Sequence, residues 1–252
     1  MNPDQSGPHR QLQRQSSWLR ESLEWVITNR IGAGAPGRRD LSGLDVGCGP
    51  GIVMNMLRPQ FSSVGIDMDD AMVHACRARG LDAAQALAED LPFKDRAFDV
   101  VYCSWLLLWV KDPARVVAEM KRVSKEWVFC MAEPDYGARI DYPDDLSELG
   151  AILAEGIRRD GGDPFIGRRL RQVFDSCGLE PEIGIHPGIW DIARLRKEAE
   201  GEWVFIRMTA GEVAESSRLE ALMDTWYEAL AAGTLIQFNP VFYALARVPQ
   251  KA

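Results

Sequence analysis

Histidine is scarce in this chain of 252 residues, with His9, His74 and His186 the whole supply. Few candidates therefore exist for a general base, and the pattern singles out none of them: His9 falls in a loose polar tail, His74 on a helix and His186 inside a strand pattern. The cysteines (Cys48, Cys76, Cys103, Cys130 and Cys177) are odd in number, widely spaced and without a Cys-x-x-Cys pair. That pattern argues against a disulfide framework and against a zinc site, and no metal is expected. No apolar run approaches the roughly 20 residues of a membrane span, and the stretch Met1 to Gln5 lacks the apolar centre of a signal peptide. A cytoplasmic protein without a membrane partner is expected. Positive charge is in deficit, the formal net charge being -8. Phosphate recognition wants a basic footprint, so nucleic acid is disfavoured as a partner and a small or uncharged molecule fits better. The length suits one domain.

What the chain does have is the run Leu44-Asp45-Val46-Gly47-Cys48-Gly49-Pro50-Gly51. A buried strand pattern leads into a glycine-rich turn and then a helical pattern, the device by which an α/β domain brings backbone close to a bound nucleoside. Ile52 stands where a dinucleotide loop of the form Gly-x-Gly-x-x-Gly places its third glycine. Twenty residues beyond Gly47, the strand pattern Ser63 to Asp67 ends in a carboxylate placed to accept hydrogen bonds from both hydroxyls of a ribose. That spacing is shared with nicotinamide dinucleotide sites and does not by itself identify the cofactor. Asp69, next in line, reads as the cap of the helix Ala71 to Arg79.

The glycine loop with its preceding acid, the strand-end Asp67, the segment Ala84 to Phe93 and the strand Phe98-Asp99-Val100-Val101 together resemble the class I S-adenosylmethionine-dependent methyltransferases. The resemblance implies a Rossmann-like, seven-stranded, mostly parallel sheet with helices on both faces and helical lid insertions. It implies S-adenosylmethionine as cofactor, with Asp45, Gly47, Cys48, Gly49, Gly51 and Asp67 around it. Met68 and Met72 are candidates for the adenine face or ordinary core residues. In the family the third segment usually reads Gly-Asp-Ala-Glu-x-Leu-Pro-Phe, its Asp taking the adenine amine. Here Leu87 stands at the Asp position, which leaves the backbone amide of Ala88 and puts Glu89 forward as the nearby side chain that compensates. Cys103 and Ser104, at the end of the fourth strand, are expected to open onto the methyl group.

The acceptor side is expected beyond Ser104. Trp105 and Trp109 make that side aromatic, suiting a sulfonium through cation–π attraction, or serve as core. Glu133, Asp135, Tyr136 and Tyr142 are candidate acceptor contacts or proton acceptors. The family commonly lines its substrate mouth there, and ordinary turn residues are the alternative reading. A single domain spanning 1–252 is expected to carry three covers: an N-terminal helical cover over 1–30, a helical insertion over 135–162 after the fifth strand, and a second over 190–235 between the sixth and seventh strands. The pattern predicts a fifth strand over Glu126 to Met131, a helix from Tyr142 to Arg159, a sixth strand over Pro181 to Ile189 and an antiparallel seventh over Phe238 to Val248. Thr209-x-x-Glu212 reads as a capping box opening a helix that Gly233 closes, and Asp163-Pro164 as the cap of a helix reaching Ser176. The function implied is methyl transfer to oxygen, nitrogen or carbon of a small organic acceptor. A nicotinamide-dependent oxidoreductase and a non-catalytic cofactor-binding regulator are the competing readings.

Overall fold

The computed structural model describes residues 7–32, 41–188 and 191–250. Residues 1–6, most of the connector read between Ile31 and Arg39, and Trp190 lie outside the described residues, as does the side chain of His9. In chain order the strands are β1 (Leu41–Val46), β2 (Phe61–Asp67), β3 (Asp82–Gln85), β4 (Phe98–Cys103), β5 (Ser124–Pro134), β6 (Ile140–Tyr142), β7 (Pro181–Ile185), β8 (Ile236–Phe238) and β9 (Val241–Arg247). The helices are α1 (Gly7–Val26), α2 (Ile52–Met56), α3 (Asp70–Ala78), α4 (Pro113–Val123), α5 (Leu149–Arg159), α6 (Ile166–Ser176), α7 (Ile192–Ala210) and α8 (Ser216–Ala232).

Apolar runs buried on both faces make a seven-stranded sheet in the order β3-β2-β1-β4-β5-β9-β7. Its first five strands are parallel, and β9 runs antiparallel to both β5 and β7. Leu44, Val46, Val100, Val101, Val128 and Phe129 are fully buried along its centre. The connections reverse direction at β1, between β2 and β4. In an open α/β sheet the crevice beyond the carboxyl ends of the strands at such a reversal is where ligands bind. Local sequence sets the helix starts next to it: Asp69 accepts from the Ala71 amide at 2.8 Å and Asp112 from the Arg115 amide at 2.9 Å, with Pro113 in the first turn.

Several boundaries differ from the sequence reading, each for a packing reason. Strand β5 continues to Pro134, because a register shift between Cys130 and Glu133 keeps it paired with β9. Tyr142 closes β6, and α5 begins only at Leu149 after a single 3₁₀ turn. Strand β7 stops at Ile185, and Phe238 ends β8, a short strand that pairs antiparallel with β6. The helix after Asp163 starts at Ile166, Asp163 accepting instead from the Phe165 amide at 3.0 Å. Thr209 opens no helix: it lies buried in the last turn of α7, and α8 starts at Ser216 before closing at Gly233.

The α7 carbonyl of Thr209 approaches Gly156 of α5 so closely that a β-carbon there would sit 1.9 Å from it. Gly156→Ala is therefore expected to push these helices apart and cost about 1 to 3 kcal/mol. An unchanged melting temperature would mean that α5 and α7 do not pack in this way.

Candidate functional site

The glycine loop is shaped by its own hydrogen bonds. The Cys48 amide donates to the Ile66 carbonyl at 2.8 Å, Gly49 to the Asp67 carboxylate at 2.8 Å, and Gly51 to the Cys48 carbonyl at 2.9 Å. Gly51 has φ +79°, and a β-carbon on it would strike Leu81 and Cys76, so the turn into α2 requires glycine there. Gly49, at φ +51°, has open space where its β-carbon would stand. A ligand can approach the backbone from that side.

Asp45, Gly47, Cys48, Gly49, Ser104 and Trp105 are brought together around one cavity of about 40 Å³, with Ser16 of α1 on its far wall. Asp45 is 2 % exposed and its Oδ2 has no partner, a costly arrangement that a bound ammonium or hydroxyl would relieve. Burial, with Cys76 and Asp67 nearby, lifts its carboxyl well above the usual range. The buried Ser16 hydroxyl is likewise unpartnered. Asp67 sits half-buried at the end of β2, its Oδ2 on the Gly49 amide and its Oδ1 on the Asp69 amide at 2.9 Å. One carboxylate thus ties the loop to the strand end. Cys48 packs with Met54, Val73 and Cys76, and its hydrogen bond to Cys76, together with burial, pushes its thiol up.

Met68 and Leu87 are 70 % and 54 % exposed, so the side of the crevice beyond Asp67 is open and apolar. Met72 and Glu89 are half-buried, and Ala88 is buried against the main core. Cys103 does not open onto the cavity. It is fully buried beside Cys130, its register partner on β5, and Glu133.

Trp105 is the hinge of the arrangement. It has φ +58°, a conformation bulky residues seldom adopt, its amide donates to the Ala132 carbonyl at 2.8 Å, and its indole Nε1 lacks a partner. The residue lines the loop cavity on one side and a second cavity of about 60 Å³ on the other. Tyr136 faces this second cavity and stacks on Phe205, ring centroids 6.3 Å apart. His186 reaches it as well, and both of its ring nitrogens are engaged. Nε2 lies 2.7 Å from the Met131 carbonyl, which can only accept, so the Nε2 proton is there and Nδ1 accepts from the Ser22 hydroxyl at 2.8 Å. Burial lowers its pKa, against the opposing pull of the Met131 carbonyl.

The other acceptor-side candidates lie elsewhere. Glu133 is fully buried and accepts from the backbone amides of Leu106, Leu107 and Leu108 at 3.0, 2.8 and 3.2 Å, clamping the turn after Trp105. Asp135 holds the Gly137 amide and the Arg168 guanidinium. Trp109 packs on Gly162, and Tyr142 is exposed on the β6–β8 ribbon. What the sequence reading missed is the polar content of the second cavity: Gln11 and Gln15 from α1, Arg139, Glu202 from α7, Gln237 and Asn239. The available signal was Gln11 and Gln15 interrupting the inward stripe of α1, where both are buried.

Fold, loop and strand-end acid define the class: an α/β domain with a glycine loop and a strand-end acid meeting at the switch point of its sheet. Residues 44–130 match the family model described as "Methyltransferase domain". The chain is 28% identical over 222 residues to an uncharacterized 37.1 kDa protein in transposon Tn4556 of Streptomyces fradiae, covering 82% of this chain and 62% of that one. It is 28% identical over 144 residues to trans-aconitate 2-methyltransferase of Methylobacterium radiotolerans, 53% of this chain and 52% of that one. The solved structure of BH2331 from Bacillus halodurans C-125 superposes with TM-score 0.59 at 19% identity, covering 88% of this chain and 98% of that one. The chain spans about half to three fifths of the length of these curated relatives. Residues 44–130 thus carry the likeness to a methyltransferase domain, which supports a class I S-adenosylmethionine-dependent methyltransferase family, and the chain as a whole shares the fold of the solved neighbour. Among the described residues no helix is long and apolar enough to cross a membrane.

Proposed function

We propose that the protein transfers a methyl group from S-adenosylmethionine to oxygen, nitrogen or carbon of a small organic acceptor by in-line displacement. The observation that carries this reading is the pair of cavities meeting at Trp105, one on the glycine loop and one walled by aromatic and amide side chains. S-adenosylmethionine, when bound, supplies an electrophilic methyl carbon on a positively charged sulfur. Asp45 and Ser16 offer buried unpartnered oxygens to the amino acid end of that molecule, Gly49 gives it room against the backbone, and Asp67 offers carboxylate oxygens to the ribose. Trp105 and the α1 cover keep water from the junction, where a competing nucleophile would be harmful.

The nicotinamide alternative is disfavoured by the same geometry. A pyrophosphate needs free amides at a helix N-terminus. Here Ile52 stands in place of the third glycine of a dinucleotide loop, and α2 is only five residues long. The non-catalytic reading draws on one observation, that His186 has both ring nitrogens engaged. An acceptor that loses its proton easily, or a carbon nucleophile, needs no such base. Trans-aconitate, the substrate in one relative's name, is not carried over. It is a polyanion, and the guanidinium at its would-be seat, Arg139, is already matched to Asp141 and Glu202.

Calorimetric titration is expected to give saturable binding of S-adenosylhomocysteine and no heat with NADH; the reverse result overturns the assignment. Leu87→Asp provides a check on the adenine side. Because Leu87 is exposed, the new carboxylate enters without a desolvation cost. It is expected to preserve or tighten S-adenosylhomocysteine binding, and a loss beyond roughly tenfold would show that the loop takes a different path.

A further inference from the structure

The second cavity carries its charge in fully matched form. Arg139, 1 % exposed in its side chain, donates to Asp141 at 2.7 and 2.9 Å and reaches Glu202 at 3.4 Å. Glu202 also accepts from the Gln237 amide at 2.8 Å and lies 3.5 Å from Arg14, which in turn holds Glu198 at 2.8 Å. Two guanidiniums thus face three carboxylates. Among the described residues lining the cavity, Arg139 and Glu202 carry opposite charges and pair with each other, so an anionic ligand would find no free cation there. A permanent cation would have to draw a carboxylate away from a buried guanidinium. Either displacement leaves a buried charge without its partner, which is strongly unfavourable.

The unmet groups are neutral. Among residues lining this cavity, Gln11 Nε2 and Trp105 Nε1 are donors without partners, and Asn239 Oδ1 is an acceptor without one. The walls are the rings of Trp18, Trp105, Tyr136 and Phe205, large flat surfaces that favour another ring. We infer, resting on the reading that this cavity seats the methyl acceptor, that the acceptor is an uncharged aromatic or heteroaromatic molecule with a hydrogen-bond acceptor at one edge and a donor at another. Trp105 is the residue that selects for the former.

The space of about 60 Å³ is smaller than the roughly 150 Å³ engineered cavity that takes up benzene. Seating a ring there requires α1 to stand farther from α7. Those two helices are joined by Arg14, which lies across Gly201 so closely that a β-carbon there would sit 2.6 Å from its Cζ.

The test uses the full chain saturated with S-adenosylhomocysteine and saturation-transfer NMR titrations of four probes: catechol and 3-hydroxypyridine, both uncharged, the trianion tricarballylate, and the cation phenyltrimethylammonium. The uncharged pair is expected to bind at least about tenfold tighter than either ion. Trp105→Phe keeps an aromatic wall but removes the five-membered ring with its N–H, which has no partner in the fold, so 3-hydroxypyridine is expected to weaken roughly two- to tenfold more than toluene, the worth of one neutral hydrogen bond. Tighter binding of either ion, absence of binding by both uncharged probes, or an equal effect of the substitution on toluene overturns the inference. Failure of S-adenosylhomocysteine itself to bind overturns instead the functional reading beneath it.

Discussion

Asp67→Ala is expected to weaken S-adenosylhomocysteine binding by roughly ten- to 150-fold, about 1.5 to 3 kcal/mol, the worth of hydrogen bonds to a charged acceptor. The geometry explains why the effect is large. Each carboxylate oxygen already holds one backbone amide, Gly49 on Oδ2 and Asp69 on Oδ1, and each keeps a lone pair for a ribose hydroxyl. The substitution removes the ribose seats and releases the loop together. Asp67→Asn, which retains one acceptor oxygen, is expected to fall between the two. Calorimetry decides the matter: a dissociation constant equal to that of the parent protein would place the ribose elsewhere.

Glu133→Ala is expected to destabilise the fold by about 3 kcal/mol or more, because it leaves three backbone amides, two of them in fully buried company, without an acceptor. The same side chain produces a pH dependence. Burial raises its carboxyl from 4.5 to about 8, against the opposing pull of the Leu107, Leu106 and Leu108 amides. The folded protein therefore keeps a proton that the unfolded chain releases as pH rises past 4.5. Its contribution to stability is complete below that pH and is lost as pH climbs to about 8. Denaturant melts at pH 5.5 and 8 are expected to show this decline in the parent protein and to show it reduced in Glu133→Gln, which cannot ionise. The melts of Glu133→Gln should also reveal a lower stability at acid pH, since its amide nitrogen cannot accept from Leu108. A parent protein with no decline between the two pH values would mean that Glu133 is ionised throughout.

The glycine-loop cavity was legible in the sequence because its determinants are local. A strand, a glycine turn and a strand-end acid are set by neighbours a few residues apart, and Asp45, Gly49 and Asp67 stand where that grammar places them. The second cavity is assembled from Gln11, Tyr136, Glu202 and Asn239, brought together only by tertiary packing. Glu133 and Asp135 follow a strand, the position of a mouth, but the extended β5 carries them inward to clamp backbone and Arg168. Thr209 has the spacing of a cap and lies in a helix interior, because its fit against Gly156 outweighs local preference. Trp109 and Tyr142 show that aromatic residues near a site need not enter it.

The pairing of β6 with β8 joins Ile140 to Phe238 and Tyr142 to Ile236, segments almost a hundred positions apart. The segment that follows Pro134 and the segment that follows α8 are therefore tied to each other rather than independent flaps. Chimeras made to redirect selectivity will need to transplant both regions at once, since grafting either alone would leave a foreign strand facing a mismatched edge.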